Sequence, residues 1–145
     1  MNQNLELVEY LYKNSEMGVY TLTKLLEELN GKENKIKKLV EEELKEYEKF
    51  YKESKKIITK HKLEPDGNSI MAKMGSDMGI KKEVKKDNSD SSIAHMIIEG
   101  VTMGLVDIET KIKNYTGEVD GDIMRLAKNY KKALEKQKED LQAYL

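Results

Sequence analysis

The feature that most constrains this chain is the spacing of its apolar residues, which recur every three or four positions over four long stretches. This spacing gathers apolar side chains on one face of a helix, whereas a half-buried strand needs alternation at every second position. The composition agrees, because the chain is rich in Glu, Lys, Leu and Ile and contains one proline. The sequence therefore predicts an all-α protein.

The first two stretches predict a helical hairpin. Asn30-Gly31 supplies a left-handed stop for the first helix. The second helix runs from about Glu33 to Lys62, and the Pro-Asp-Gly segment at 65–67 ends it. The predicted stripes are Leu5, Val8, Tyr12, Ser15, Val19, Leu22, Leu26 and Leu29 in the first helix, and Ile36, Val40, Glu43, Tyr47, Phe50, Ser54, Ile57 and His61 in the second.

The last two stretches predict a second hairpin. Ser91 or Ser92 is the predicted N-cap of the third helix, and Thr116-Gly117 ends that helix. Asp120 is the predicted N-cap of the fourth helix. The stripes are Ala94, Ile98, Val101, Leu105, Ile108, Ile112 and Tyr115, followed by Ile123, Ala127, Tyr130, Leu134, Gln137, Leu141 and Tyr144.

Residues 68–92 connect the two hairpins. Within them, SIMAKMGSDMGI is compatible with a short helix, and KKEVKKDNSDSS is typical of a solvated linker. Two hairpins joined by one long crossover predict an antiparallel four-helix bundle that spans residues 1–145 as a single domain. The breaks at Gly31, Pro65 and Gly117 disfavour one continuous coiled coil.

A few polar residues interrupt or border the stripes. Glu43 and Gln137 lie within them, while Glu16 and Glu99 lie one step to the side, and all four are near the middle of their helices. A buried charge is costly unless it is paired, neutralised or bound to a metal, so these positions are the candidate functional residues.

The pattern Glu16, Glu43-x-x-Glu46 and Glu99 resembles the ferritin-like superfamily, in which Glu on one helix and Glu-x-x-His on the next occur twice. The chain is similar to small, uncharacterised bacterial families of that superfamily. The resemblance implies an iron or manganese site formed by Glu16, Glu43, Glu46 and Glu99, with His95 and Gln137 as accessory ligands. This chain departs from the pattern, because Glu46 and Gln137 stand where histidines would be. In the alternative interpretation, Glu16, Glu46 and Glu99 face solvent or pair with lysines, and Glu43 bonds a tyrosine or Gln137.

Three smaller features have both a structural and a functional interpretation. Met71, Met74 and Met78 predict either a helix face packed on the bundle or a copper(I) site. The position of His61 at the end of the second helix predicts either an interaction of its side chain with the helix C-terminus or a role as a metal ligand. Glycines within predicted helices favour close packing of a neighbour over space for a ligand; they are Gly18, Gly100 and Gly104.

The remaining properties narrow the function. A net charge of −1 disfavours nucleic acid as a partner, and the absence of cysteine excludes thiolate chemistry. We expect no signal peptide, no membrane-spanning segment and a cytoplasmic location. No phosphate-binding loop or Ser/His/Asp motif is evident. The sequence thus predicts a non-enzymatic protein that acts as a dimer or with a protein partner and has no certain cofactor. The alternative is a carboxylate-rich iron- or manganese-binding protein.

Overall fold

The computed structural model describes residues 2–64 and 70–145, and the side chains of residues 70–77 are outside this description. All regular structure in the described residues is helical, which confirms the all-α prediction. The five helices are α1 (Gln3–Glu28), α2 (Lys37–Lys60), α3 (Ile70–Lys86), α4 (Asp90–Tyr115) and α5 (Gly121–Gln142).

Helices α1 and α2 form the first hairpin. Gly31 adopts a φ of 80° in the connection, as the left-handed stop predicted. The rings of Tyr12 and Tyr51 stack with centroids 5.1 Å apart, and Tyr47 lies against Gly18. Because Tyr12 precedes Gly18 while Tyr51 follows Tyr47, the two helices run antiparallel.

Helices α4 and α5 form the second hairpin. Gly117 has a φ of 81°, and Asp120 occupies the N-cap of α5, as predicted. Gly104 lies beside Leu134, and Glu109 lies 4.0 Å from Lys131, so this pair of helices is also antiparallel.

The two hairpins pack with α1 against α4 and with α5 against both α2 and α1, while α3 packs on α1. The Tyr115 hydroxyl donates a hydrogen bond to Glu6, near the start of α1, so α4 runs antiparallel to α1. Between α2 and α5, the ring of Phe50 meets the ring of Tyr130 edge-on at 5.1 Å. Since α2 and α4 both oppose α1, they run parallel to each other, and the chain between them returns along the length of the molecule.

The prediction of a solvated linker after residue 80 is wrong. Helix α3 continues to Lys86, and it buries Ile80 and Val84 against the rest of the chain. These residues are four positions apart and share one helical face, while the surrounding lysines lie on the solvent side. Helix α4 then begins at Asp90 with Ser89 as its N-cap, earlier than the predicted Ser91 or Ser92. The described residues therefore contain five helices, where the pattern indicated four long helices and a possible short one.

Both ends of α2 differ from the prediction. Lys37 is its first residue, and the backbone N–H groups of Lys35 and Ile36 donate to the carboxylate of Asp90. At the other end, His61 is the C-cap and Lys62 has a φ of 54°, so the helix ends before the Pro-Asp-Gly segment at 65–67. That segment is outside the described residues, as are the side chains of Met71 and Met74.

Helix α4 is the most apolar of the described helices. It is long and apolar enough to cross a membrane, judged by length and composition alone, which the sequence analysis did not anticipate. Its buried face includes Val101, Leu105 and Ile108, as predicted, while Ile97 is buried more deeply than the predicted Ile98.

The three helical glycines occupy different surroundings. Gly18 makes room for the ring of Tyr47, because a Cβ atom there would lie 2.5 Å from Tyr47 Cδ1. Gly104 contacts the side chain of Leu134, whereas Gly100 faces open space. The prediction of close packing is therefore confirmed at Gly18 and Gly104 and is wrong within this chain at Gly100.

We expect Gly18→Ala to lower the free energy of unfolding by about 2 kcal/mol, because the new methyl group displaces the Tyr47 ring. The matched control is Gly79→Ala on α3, where no atom lies within 4 Å of an added Cβ. That change should raise stability by about 0.5 kcal/mol through helix propensity alone. Urea unfolding of both variants tests the packing, and equal effects would contradict it.

Candidate binding site between α2 and α5

The contact between α2 and α5 contains the most deeply buried of the polar residues predicted to be functional. Glu43 follows Val40 and precedes Tyr47 on the buried face of α2, and Gln137 lies between Leu134 and Leu141 on α5. Glu43 is 3% exposed and Gln137 is 4% exposed. Helical periodicity therefore forces both polar side chains into the interface, as the sequence analysis predicted.

Glu43 and Gln137 line a cleft of about 270 Å³, which we call the α2–α5 cleft. The other residues that line it are Leu39, Glu42, Glu46, Ala133, Lys136 and Asp140. Both carboxylate oxygens of Glu43 and the side-chain carbonyl oxygen of Gln137 are buried without a hydrogen-bond partner. Buried polar atoms are usually hydrogen-bonded, so three unpaired oxygens among the residues that line one cleft mark it as a candidate binding site.

Burial raises the pKa of Glu43 from its ordinary value of 4.5 to about 8. Asp140 and Glu42 raise this pKa further by repulsion, while Lys136 acts in the opposite direction. Lys136 is itself held in a 2.6 Å ion pair with Asp140 at the exposed edge of the cleft. At neutral pH the folded protein therefore holds Glu43 mainly in its protonated, uncharged form.

The structure brings together three of the six residues predicted as metal ligands. Glu46 joins Glu43 and Gln137 in the α2–α5 cleft. Glu16 lines a separate depression with Tyr20 and Tyr51. His95 and Glu99 are exposed on α4.

A ferritin-like di-iron centre needs carboxylates and imidazoles that converge from four helices. The α2–α5 cleft receives residues from two helices and contains no histidine. The residues that are present therefore do not fit that centre.

A second polar cluster joins the C-terminal end of α2 to the N-terminal end of α5. Across residues 2–64 and 78–145, one group of three His, Asp or Glu residues brings ligand atoms within 4.8 Å of one another, namely His61, Asp120 and Asp122. His61 Nδ1 lies 3.4 Å from Asp120 Oδ2, and His61 Nε2 lies 3.1 Å from Asp122 Oδ2. Lys60 Nζ lies 3.0 Å from the same Asp122 oxygen.

The geometry of this cluster fits an ionic clamp better than a metal site. A metal ion binds one nitrogen of an imidazole ring, whereas here each ring nitrogen faces a different carboxylate. A protonated ring donates from both nitrogens and satisfies both partners. A protonated His61 would also suit the C-terminal end of α2, as predicted, and the aspartates suit the N-terminal end of α5.

Burial acts to raise the pKa of the Asp122 carboxyl, but hydrogen bonds from His61 and Lys60 outweigh it and hold this pKa below its ordinary value of 3.8. Sequence reasoning missed Asp122, Asp140 and Lys136, because each is on the polar face of α5 and no local pattern marks it. The N-cap signal at Asp120 was the one available sign that this end of α5 lies near His61.

Comparison of the chain with protein-family models, curated proteins and solved structures gives no match.

We expect Glu43→Gln to stabilise the fold by about 2 kcal/mol near pH 8, since glutamine has no carboxyl group to neutralise on folding. The folded state of the wild type holds the Glu43 proton more tightly than the unfolded chain does. The stability that this bound proton adds to the fold is therefore fully present below about pH 4.5, and it is lost as the pH rises through about 8. The variant should lack this decline.

Urea unfolding across this pH range, with exposed Glu135→Gln as the matched control, measures the effect. A loss of several kcal/mol in Glu43→Gln at every pH would show that the native carboxyl group has a stabilising partner.

We expect Asp122→Asn to lower the free energy of unfolding by about 1 kcal/mol at neutral pH, because it weakens the contacts to His61 and Lys60. The pKa of the Asp122 carboxyl is lower in the folded protein than its ordinary value of 3.8. The ionised carboxylate therefore stabilises the fold above pH 3.8, and this stabilisation is lost as the pH falls below 3.8. The variant and wild type should therefore converge in acid. Exposed Asp107→Asn is the control, and an equal loss there would argue against the clamp.

Proposed function

We propose that this protein is a non-enzymatic, ferritin-like helical bundle that acts by self-association. In this proposal, α1, α2, α4 and α5 form the bundle, and α3 lies in the crossover. The helix directions support it, because a long connection between parallel second and third bundle helices is a feature of ferritin-like folds.

The observation that carries the association proposal is the outer face of α4, defined here as Met96, Gly100, Met103 and Val106, which lie beside the exposed carboxylates of Glu99 and Asp107. Met103 is 71% exposed and Val106 is 60% exposed. Only 39% of the most apolar 18-residue window of this helix is buried within the chain. An exposed apolar face on an otherwise charged protein is typical of an interaction surface.

A second copy of the chain is the partner that best suits this face. Gly100 lies at one side of this face with no atom within 4 Å of an added Cβ, so the backbone of another helix can approach closely there. A two-fold dimer pairs the same patch on both copies, so the apolar side chains of this face would meet their counterparts. The outer face of α4 also borders an apolar pocket that Met96 shares with Ile80 and Leu22, which extends the contact surface.

The alternative function, binding of iron or manganese, has narrower support. Glu43, Glu46 and Gln137 share the α2–α5 cleft, but the other predicted ligands lie elsewhere. A metal-binding role would therefore use the cleft with fewer protein ligands than a di-iron centre has. Titration of the protein with Mn²⁺ or Fe²⁺ tests this metal-binding function.

We expect the wild-type protein to sediment with twice the mass of one chain, and Met103→Lys to sediment as a monomer. A lysine at this position would place a charge in an apolar contact. Sedimentation equilibrium over a range of concentrations measures the change. The control is Met78→Lys on α3, because Met78 is also 71% exposed and lies outside the proposed contact.

The control variant should retain the dimer. A wild-type protein that stays monomeric at every concentration would refute the proposal, and dissociation by both substitutions would place the interface elsewhere.

A further inference from the structure

We propose that the α2–α5 cleft binds a short aliphatic amine, with the primary ammonium group held between Glu43 and Gln137. This site is distinct from the outer face of α4, and it does not depend on self-association. The inference rests on the hydrogen-bonding capacity, charge and shape of the cleft.

Three oxygen atoms of residues that line the cleft are buried without a hydrogen-bond partner, and all three are acceptors when Glu43 is ionised. They are Glu43 Oε1, Glu43 Oε2 and Gln137 Oε1. A primary ammonium group carries three N–H donors and no acceptor, so it matches three acceptors.

The charges that line the cleft favour a cation. Glu42 and Glu46 contribute carboxylates from α2, and Asp140 contributes one from α5. Lys136 is the basic residue of the lining, and it is paired with Asp140 at 2.6 Å. Acidic groups therefore exceed basic ones around Glu43, and they attract positively charged ligands.

An organic cation suits the cleft better than a divalent metal ion. A metal site needs several ligand atoms within about 2–3 Å of one ion. In the described part of the chain, the carboxylates of this cleft do not form a group of three with ligand atoms within 4.8 Å of one another. Leu39 and Ala133 also line the cleft, and they provide apolar contact for a short alkyl chain.

Binding of the amine should release a proton from Glu43. Burial raises the pKa of Glu43 to about 8, and an ammonium group favours the ionised carboxylate, so the proton leaves to solvent as the amine binds. The charged groups that face Glu43 are Glu42 from α2 and Lys136 and Asp140 from α5. Tyr47, one turn along α2, is close enough for Glu43 to raise its pKa. Affinity should therefore increase from about pH 6 to about pH 8.

Isothermal titration calorimetry with n-butylamine and 1,4-diaminobutane tests the site. We expect both amines to bind, and the diamine to bind more tightly because its second ammonium group reaches the acidic edge of the cleft. Tetramethylammonium, which has no N–H donor, should not bind. Titrations in two buffers with different ionisation enthalpies should show release of up to one proton per amine below about pH 8.

The variant Glu43→Gln should weaken amine binding about tenfold or more, because it removes a charge-assisted hydrogen bond. Glu135→Gln, which makes the same charge change at an exposed position of α5, should bind as the wild type does. If Glu43→Gln fails to fold, NMR of the wild type still reports the site. The Gln137 side-chain amide resonances should shift on addition of amine.

Three results would overturn the proposal: no amine binding to the folded wild type, equal binding of tetramethylammonium, or equal affinity in Glu43→Gln. Titration with Mn²⁺ or Fe²⁺ completes the test. Stoichiometric metal binding that Glu43→Gln abolishes and that excludes the amines would assign the cleft to the metal instead. The oligomeric state is measured separately, so failure here leaves the proposed dimer standing.

Discussion

The packing of Tyr130 positions the rest of the molecule, because this one side chain joins three helices. It is fully buried on α5, where its ring meets Phe50 edge-on and lies 6.3 Å from the ring of Tyr47. Its hydroxyl donates a hydrogen bond to Asn14 on α1, so the burial of a polar group is compensated. Tyr47 in turn fits against Gly18, where any larger residue would push the ring away. Together these contacts set the separation and register of α1, α2 and α5.

That register determines the surroundings of Glu43 and Gln137. Glu43 is one turn before Tyr47 on α2, and Gln137 is about two turns after Tyr130 on the antiparallel α5, so both side chains enter the same interface. The aromatic residues fill the interface between α2 and α5 around Tyr130. One turn away along α2, a cleft remains, and two of the residues that line it, Glu43 and Gln137, carry three unpaired oxygens. At the far end, the clamp of His61 with Asp120 and Asp122 ties the two helices together. Both the aromatic residues and this clamp lie on the same side of the cleft along α2, and they hold α2 and α5 together there.

Periodicity and stop signals predicted the helical class, both hairpins and the burial of Glu43 and Gln137, because these depend on residues close together in the chain. The length of helix α3 was underestimated, since its buried face includes Ile80 and Val84 among many lysines. Long-range contacts were not predictable in the same way. Asp90 accepts backbone N–H groups from Lys35 and Ile36, and nothing in the sequence near position 90 indicates those partners. The predicted metal ligands also lie apart in the structure, because a residue one position away from the buried stripe can face solvent, as Glu99 does.

Glu43 lies buried and unpaired between α2 and α5. An NMR titration that follows the side-chain carboxyl carbon of Glu43 measures this most directly, because the chemical shift of that carbon reports ionisation of this single group. We expect a midpoint near pH 8, well above the ordinary pKa of 4.5, since burial disfavours the charged form. A midpoint near 4.5 in the folded protein would show that Glu43 is solvated or paired, and would contradict the account.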